Sequence, residues 1–386
     1  MNTEKQPKFT VIVPTRARAD VLPSALRTVV AQDYENLEIV VSDNFSGDET
    51  ADVVHAFNDP RIRYINTGRR LSMSHNWEFA LSHVDGGWVT ILGDDDGLMP
   101  GALTQVIELA QNYGVSAIRS SVCKYKWPSA NGTGGRLNIP IGTGVEVRSS
   151  EAWLQRTLDG KASYAELPML YTGGFADMRA MTTIKNKMGS FYSSCVPDVY
   201  SGVSIVSVIP EYLYSYTPLA IAGISRHSTG TSHFSRPLSA TETTPAQLFI
   251  SEGNIPFHPD IPVCRDGIIP RSSQITFLES YLQSLPLRGE MPAGLYAKQL
   301  DVVTSTRAKR DEDMQIWLRK FAAMHDLDIK KSLRHGGWHR FAESIMGAPA
   351  RMLRRWKTAK LRSRDYNISD VYLASLAAAT YLRISR

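Results

Sequence analysis

The sequence predicts an α/β fold: a mostly parallel sheet flanked by helices, followed by a mainly helical C-terminal extension. Over residues 1–122, short β-rich apolar runs alternate with stretches of helical hydrophobic period, a pattern typical of a parallel sheet covered by helices on both faces. Beyond residue 235 the sequence is punctuated by proline and then becomes helix-rich. The composition, 43% hydrophobic and 21% charged over 386 residues, excludes disordered, collagenous and fibrous chains.

Five strands and four intervening helices are predicted in the N-terminal part. The strands are expected at 9–14, 37–42, 61–65, 88–93 and 116–122. The helices are expected at 20–31, 48–57, 73–83 and 101–112. The second helix opens with Ser46-Gly47-Asp48-Glu49, a spacing that favours a capping box at its first turn. Ligands of such sheets bind beyond the carboxyl ends of the strands, so the residues that follow each strand are candidate site residues.

The rest of the chain is predicted to hold a hairpin and further helices. Residues 124–147 are rich in Gly, Pro and Asn, which indicates an excursion or hairpin rather than a domain boundary. Further helices are expected at 149–158, capped by Ser149 or Ser150, and at 173–188, 274–285 and 314–326. We place a domain boundary near residue 236, which gives a first domain over 1–235 and a helix-rich C-terminal region over 236–386.

Basic residues are concentrated between residues 330 and 364. This segment holds eleven Lys and Arg residues against Glu343 alone, which leaves the remainder of a chain of net charge +5 acidic. Aromatic and aliphatic residues such as Trp338 and Trp356 lie between the basic ones. The pattern suits an anionic membrane surface, and it is equally typical of the solvated basic face of a packed helical region. No nucleic-acid partner is expected.

The cysteines and the apolar segments predict a cytoplasmic protein. Cys123, Cys195 and Cys264 are an odd number without CxxC spacing, which supports neither a disulfide framework nor a structural zinc site. No stretch approaches the roughly 18 uncharged apolar residues of a membrane-spanning helix, and the longest candidate, 371–382, is too short. Any membrane contact is therefore expected to be peripheral, on the cytoplasmic face of the inner membrane.

Two of the predicted strands end in acidic residues. Asp43 follows the second strand, and Asp94, Asp95 and Asp96 follow the fourth. Three adjacent carboxylates repel one another unless a cation or the solvent screens them. Carboxylate oxygens without nearby Cys or His favour Mg²⁺ or Mn²⁺ over zinc. We predict a metal bound by Asp94 and Asp96, the alternative being an exposed acidic turn.

Six segments in order along the chain resemble the inverting family 2 glycosyltransferases, which have the GT-A fold, a Rossmann-like sheet flanked by helices. The segments cover about residues 8–232, and nothing beyond them carries a resemblance. They read FTVIVPTR at 9–16, EIVVSDNFSGDET at 38–50, MSHNW at 73–77, LGDDDGLMP at 92–100, VPDVY at 196–200 and GISRHSTG at 223–230. Each motif is weak alone, but their order and spacing together are specific.

The resemblance implies a nucleotide-sugar donor as co-substrate. The LGDDDGLMP segment resembles the DXD metal motif, and Asp43 would accept the N–H of a uracil ring, which favours UDP. The residues implied to contact the donor are Pro14, Thr15, Arg16, Asp43, His75, Asn76, Asp94, Asp95, Arg226 and His227. Bound manganese or magnesium would neutralise charge that develops on the departing diphosphate.

The resemblance also implies transfer of a sugar, of the hexosyltransferase type, to a hydroxyl of a glycan or lipid-linked acceptor in surface polysaccharide biosynthesis. Inverting displacement at C1 needs a carboxylate that takes the proton of the acceptor hydroxyl. Asp198, in the acidic motif on the acceptor side, is our candidate for this base, with Asp177 and Glu166 as rivals. Trp77 and Trp153 are expected to be core residues rather than sugar-stacking platforms.

Two residues depart from the family pattern, and two other functions stay open. The family often has Asp where this chain has Gly93, and Arg where it has His75. The aspartate string also fits a phosphohydrolase of the haloacid dehalogenase type that uses Asp94 and Asp96, with Asp94 as the covalent nucleophile and Mg²⁺ beside it, although that motif is expected after the first strand. The other alternative is a non-catalytic scaffold that binds a membrane or nucleic acid through residues 330–364.

Overall fold

The structure, a computed structural model, describes residues 6–128, 134–227, 251–264, 269–305, 312–333 and 358–384. The strands are β1 Phe9–Thr15, β2 Leu37–Asp43, β3 Ile62–Asn66, β4 Trp88–Ile91, β5 Gly97–Leu98, β6 Ala117–Lys126, β7 Arg136–Pro140, β8 Val145–Ser149, β9 Gly174–Asp177, β10 Glu211–Ile224 and β11 Thr358–Arg362. The helices are α1 Leu22–Val30, α2 Thr50–His55, α3 Met73–Leu81, α4 Ala102–Tyr113, α5 Ser150–Leu158, α6 Met178–Met188, α7 Pro197–Val206, α8 Ser273–Gln283, α9 Leu295–Ser305, α10 Glu312–Met324 and α11 Val371–Ile384.

All the described strands belong to one mixed sheet. Its main path runs β11-β7-β6-β9-β4-β1-β2-β3, and β10 lies parallel to β6 while also pairing with β5 and β8. The unit β3-β2-β1-β4 is parallel throughout, and Thr15 at the end of β1 is in register with Asp43 at the end of β2. This parallel unit with its helices confirms the predicted α/β class.

The apolar strands of the parallel unit are buried on both faces. Along β1, Phe9, Val11 and Val13 pack in one cluster, with α1, α4 and α11. Ile12 packs in the other, with α3, α5 to α7 and the C-terminal helices α8 to α10. Burial on both faces explains why the strand is an unbroken apolar run instead of an alternating one.

The C-terminal region adds to the sheet as well as covering it. Strand β11 pairs antiparallel with β7, and α11 packs on α1, with Val371, Ala374 and Ala378 fully buried. Helices α8, α9 and α10 are the helix-rich part expected beyond the proposed boundary near residue 236. Most of the basic segment 330–364 lies outside the described residues, which resume at Thr358.

Some local predictions were wrong. Residues 173–188 were expected to be one helix, but the first part is β9, and Asp177 ends that strand and caps α6 by accepting from the Arg179 amide over 2.8 Å. The capping box is not formed either: Ser46 accepts from the Ala17 amide over 2.7 Å, while Asp48 accepts from Thr50. The long strand β10 was not predicted. The excursion at 124–147 is confirmed as antiparallel strands β6 and β7.

None of the three cysteines is part of a disulfide within the described ranges, and all three are buried. Within the described ranges, no helix combines the length and the apolar character that a bilayer-spanning segment needs.

Candidate active site

The candidate active site lies where the parallel strands end. Strands β1 and β2 end at Thr15 and Asp43, and residues 94–96, here called the acidic turn, follow β4. Thr15, Asp43 and the three aspartates of the turn are all buried. Pro14 pairs with Ser42 inside the sheet, one residue before the strand end. The topology therefore brings the predicted donor residues and the predicted metal ligands to one edge.

Asp94 is held by an arginine that the sequence analysis did not select. Arg18 Nη1 donates to Asp94 Oδ1 over 2.5 Å, and Thr15 Oγ1 donates to Oδ2 over 2.9 Å. Burial raises the pKa of Asp94, and the guanidinium charge opposes that rise. Burial alone would lower the pKa of Arg18, but Asp94 and Asp95 together raise it. The signal for Arg18 was its place two residues after Arg16, just beyond the opening motif.

Asp95 and Asp96 face the end of β10. Ser225 donates to Asp95 Oδ2 from its hydroxyl over 2.6 Å and from its amide over 3.2 Å. The Gly223 amide donates to Asp96 Oδ1 over 2.7 Å, and the Thr172 hydroxyl donates to Oδ2. A Cβ at position 223 would lie 1.8 Å from the Asp95 carbonyl oxygen, so this close approach requires glycine. Strand β10 is thereby fixed against the acidic turn.

Asp96 has the most perturbed environment in the acidic turn. Burial, followed by the negative charge of Asp95, raises the pKa of Asp96 to about 7. A Cβ built at Gly93 would lie 2.7 Å from both Asp96 Oδ2 and the Tyr171 hydroxyl. The departure at Gly93 therefore has a steric reason: a larger residue would collide with Asp96 and Tyr171.

Asp43 and the start of α3 form the other side of the candidate site, at the carboxyl ends of the parallel strands. Asp43 accepts from the Ser46 amide over 2.9 Å, the Tyr64 hydroxyl over 2.5 Å and Asn66 Nδ2 over 3.1 Å. Its carboxylate thus stabilises the turn after β2, as a capping residue would, and also faces polar side chains of β3.

His75 and Asn76 take different positions in the first turn of α3. The His75 side chain is exposed, with Nδ1 2.7 Å from the hydroxyl of Ser72, the N-cap residue. Asn76 is buried, and its Oδ1 accepts from Ser42 over 2.8 Å, which ties α3 to β2. Of the two, His75 is the one whose side chain is open to a ligand.

The segment after β10 docks on the turn between β1 and α1. Asp20 Oδ2 lies 3.2 Å from Arg226 Nη2 and 3.0 Å from His227 Nε2. Arg18 Nη2 donates to the His227 carbonyl over 2.7 Å. Arg226 and His227 are thus brought beside the acidic turn, while the rest of the loop motif, residues 228–230, lies outside the described residues.

Asp198 lies in the first turn of α7 and is partly open to solvent. Burial raises its pKa, opposed by the charge of Arg119. Among the described residues, no side chain donates a hydrogen bond to its carboxylate. Its carbonyl accepts from the Ser201 hydroxyl over 2.7 Å, and that hydroxyl accepts from the Leu170 amide over 2.8 Å. A partly accessible carboxylate with a raised pKa is suited to accept a proton.

Residues 165–172, here called the bridge segment, connect Asp198 to the acidic turn. At one end Thr172 bonds Asp96, and Leu170 reaches the N-terminal turn of α7 through Ser201. The buried Arg119 of β6 holds this segment by donating to the carbonyls of Ala165, Tyr171 and Thr172 over 2.8, 3.2 and 2.9 Å. Arg119, Tyr171 and Thr172 were all missed by sequence reasoning, since only the tertiary structure brings them together.

Each of the two rival bases is paired with an arginine. Asp177 is in register with Trp88, the first residue of β4, and pairs with Arg179 over 2.9 Å. Glu166 lies 3.3 Å from Arg148, whose guanidinium also stacks over Trp153. Asp177 therefore lies beside the amino end of β4, whereas the acidic turn follows the carboxyl end of the same strand.

Two tryptophans were expected to be core residues. Trp77 is buried and stacks on Tyr171, with ring centroids 5.3 Å apart. Trp153 is half-buried and packs against the cluster that contains Ile12. Both positions agree with packing roles.

The donor set of the acidic turn fits a hard divalent cation in part. Among the described residues, no three His, Cys, Asp or Glu side chains converge as a metal cage. Mg²⁺ and similar ions, however, are often held by one or two carboxylates plus substrate phosphates and water. Asp96 and Asp94 are buried carboxylates without His or Cys beside them. Each of their oxygens also accepts a hydrogen bond from the protein, so a metal held by this pair would need further ligands from the donor and water.

Comparison with known proteins places a large N-terminal part of the chain among glycosyltransferases. The family model described as glycosyl transferase family 2 matches residues 10–166. A Campylobacter jejuni GalNAc(5)-diNAcBac-PP-undecaprenol beta-1,3-glucosyltransferase is 39% identical over 107 residues, 27% of this chain and 35% of that protein. The succinoglycan biosynthesis protein ExoO of Rhizobium meliloti is 32% identical over 111 residues, 29% of this chain and 32% of that protein. The chain thus spans about a third of the length of these relatives.

A solved structure supports the fold over a longer range. The crystal structure of S. aureus TarS 1–349 in complex with UDP-GlcNAc superposes with a TM-score of 0.50 at 14% identity, covering 87% of this chain and 92% of that one. At this identity the likeness concerns the fold alone, and it agrees with the expected GT-A-like architecture. The family match and the place of the acidic turn after β4 both count against the phosphohydrolase alternative. The family-model match over residues 10–166 therefore confirms the resemblance to glycosyl transferase family 2.

Proposed function

We propose that the protein is a metal-dependent inverting glycosyltransferase that moves a sugar from a UDP-sugar to a hydroxyl of a glycan or lipid-linked acceptor. The observation that carries the proposal is the bridge segment, which connects the Asp198 turn to Asp96 through Ser201, Leu170 and Thr172. A base and a leaving-group site fixed to one short segment are the two parts that in-line displacement requires.

On the donor side, the strand ends bind the nucleotide and the acidic turn faces the diphosphate. Asp43 accepts from the base, and Thr15 and Arg16 line the pocket, with His75 at the first turn of α3. Asp96 and Asp94 would hold Mn²⁺ or Mg²⁺. Such an ion, when bound, neutralises charge on the departing diphosphate. Arg226 and His227, which pair with Asp20, cover the part of the nucleotide pocket that holds the diphosphate.

On the acceptor side, Asp198 removes the proton of the attacking hydroxyl. The hydroxyl oxygen forms the new bond to C1 as the bond from C1 to the diphosphate oxygen breaks, and the bonding electron pair leaves with UDP. The proton ends on the Asp198 carboxylate. Burial raises the pKa of this carboxyl, which makes it a stronger base than an exposed aspartate.

The acceptor class rests on the relatives and on charge. One relative is named as a glucosyltransferase of an undecaprenol-linked glycan and another as a succinoglycan biosynthesis protein. A lipid-linked acceptor places the enzyme at a membrane, and the basic segment 330–364 supplies cations for an anionic surface. We therefore propose peripheral attachment at the cytoplasmic face, in surface polysaccharide assembly.

Calorimetric titration of UDP, GDP, dTDP and CDP, each with and without Mn²⁺, tests the donor half. We expect UDP to bind most tightly of the four and only with Mn²⁺, and we expect Asp96→Ala to lose this binding even when Mn²⁺ is present. Asp85→Ala is the matched control, because Asp85 is an exposed carboxylate in the turn after α3. If the wild type binds no nucleotide under any metal, the scaffold alternative replaces the enzyme proposal.

A further inference from the structure

Two arginines near the candidate site share one glutamate from the C-terminal region. Arg16 Nη1 lies 2.5 Å from Glu252 Oε1, and Arg70 Nε lies 3.0 Å from the same oxygen. The three residues are remote in sequence: Arg16 follows β1, Arg70 precedes α3, and Glu252 belongs to the described stretch 251–264. The fold alone brings them together.

This contact holds two positive charges and one negative charge, and the three side chains differ in burial. The Glu252 side chain is only 7% exposed, whereas those of Arg16 and Arg70 are 29% and 47% exposed. Burial, and then the neighbouring charge of Arg70, lower the pKa of Arg16, while Glu252 opposes this shift. Two cations thus meet a single carboxylate, and one positive charge is left over.

The arginine pair lies beside the proposed nucleotide pocket. Arg16 directly follows Thr15, whose hydroxyl bonds Asp94. Arg70 precedes Leu71, whose amide and carbonyl are both bonded by the Asn44 side chain, over 2.8 and 2.7 Å. Asn44 is the residue after Asp43, the proposed base contact. The two guanidinium groups therefore flank the residues assigned to the donor.

We infer that Arg16 and Arg70 form a binding site for the donor's diphosphate, and that Glu252 occupies this site as an internal counter-ion until the donor displaces it. The inference rests on the proposed function and adds Arg70 and Glu252 to its site. Guanidinium groups bind phosphate oxygens through paired hydrogen bonds, and a diphosphate brings more than the single charge that Glu252 supplies. Binding of the sugar nucleotide then exchanges one anion, the Glu252 carboxylate, for another, the diphosphate. Glu252 lowers the affinity for the nucleotide because it competes for the same guanidinium N–H groups.

Titration of UDP and of uridine into Glu252→Gln, both in the presence of Mn²⁺, tests this. Since glutamine keeps the shape of the side chain and removes its charge, we expect UDP to bind about fivefold more tightly than to the wild type and uridine to bind unchanged. Arg70→Gln should weaken UDP binding and leave uridine unchanged. Glu290→Gln, at an exposed glutamate outside this contact, should alter neither.

The opposite results overturn the inference. Weaker UDP binding to Glu252→Gln would mean that Glu252 orients the arginines for the donor instead of competing with it. An equal gain for uridine would mean that Glu252 covers the base pocket and has no part in phosphate recognition. Unchanged UDP binding in both variants would also remove the site. A wild-type protein that binds no UDP would instead reject the proposed function, so the two failures are distinct.

Discussion

The guanidinium of Arg18 donates to the buried carboxylate of Asp94 over 2.5 Å. A second nitrogen of the same group donates to the His227 carbonyl. One side chain therefore joins the acidic turn to the segment after β10, and it also places a positive charge next to three aspartates that would otherwise repel one another.

Arg18→Gln should destabilise the fold, because it leaves Asp94 buried without its counter-charge. Removal of one partner from a buried ion pair costs about 3 to 5 kcal/mol, and Arg18, which is partly exposed, should fall at the lower end. Urea unfolding monitored by circular dichroism measures the change. Arg179→Gln removes an ion pair whose arginine is 83% exposed, and its unfolding midpoint should stay at the wild-type value. Equal midpoints for both variants would contradict a structural role for Arg18.

Asp198→Asn should keep UDP affinity and lose transfer. Amide nitrogen and oxygen preserve the shape of the side chain but cannot take the acceptor's proton, so kcat should fall by about 10² to 10⁴. Calorimetry and a sugar-transfer assay separate the two properties. Asp177→Asn is the control, because Asp177 lies beside the amino end of β4, and it should stay active. A fully active Asp198→Asn variant would remove Asp198 as the base.

Arg119→Gln should move the pH dependence of transfer. The charge of Arg119 lowers the pKa of Asp198 against the rise caused by burial, so its removal raises that pKa. The base works only when deprotonated, and the acid limb of the kcat profile should therefore shift to higher pH. Arg148→Gln removes another buried arginine that faces Glu146 and Glu166. If both variants lose activity and neither shifts the acid limb of the kcat profile, Arg119 acts only on folding and not on the pKa of Asp198.

Gly93→Ala should disturb Asp96 directly. The new Cβ would lie 2.7 Å from the Asp96 carboxylate and the Tyr171 hydroxyl, and overpacking of this kind costs about 1 to 3 kcal/mol. We expect a lower unfolding midpoint and weaker Mn²⁺-dependent UDP binding. Gly47→Ala is the control, because a Cβ there meets nothing within 4 Å. Wild-type UDP binding by Gly93→Ala would separate Gly93 from the metal site.

The triple variant Arg351→Gln, Arg354→Gln, Arg355→Gln should reduce binding to anionic vesicles. Each basic residue near such a surface contributes about 1 kcal/mol, so three changes should weaken binding by roughly two orders of magnitude. Co-sedimentation with phosphatidylserine vesicles measures the effect, and neutral vesicles give the background. Removal of three basic residues from the exposed side of α6, at Arg179, Lys185 and Lys187, should change little. If both triple variants lost vesicle binding equally, the binding would depend on the net charge of the protein and not on the segment 330–364.

The parallel half of the fold follows from the sequence, and the antiparallel half does not. Strands β1, β2 and β4 are apolar runs buried on both faces, so local pattern and burial agree. Strand β10 instead mixes exposed and buried residues over a long span and shifts register against β6 between Ser215 and Ala220, which obscures its period. Residues 174–177 continue into α6 without a proline or glycine break, and their strand conformation comes from pairing with β4 and β6.

The candidate site divides in the same way. The acidic turn and Asp43 could be selected because they follow apolar strands. Arg119, Thr172 and Glu252 could not, since each reaches the site through contacts with residues far away in the chain. Their local sequence carries no motif, and their roles exist only after the sheet and the C-terminal region have assembled.

The pairing of β11 with β7 and the packing of α11 on α1 have a consequence for biosynthesis. Helix α11 also packs beside β5, the strand that directly follows the acidic turn. During translation the acidic turn leaves the ribosome more than two hundred residues before the helix that supports it. In the nascent chain, the edge of the sheet at β7 and the apolar face of α1 therefore stay exposed until β11 and α11 have been synthesised. Activity should be gained only after α11 has docked, and chains truncated before Val371 should aggregate instead of accumulating as smaller enzymes.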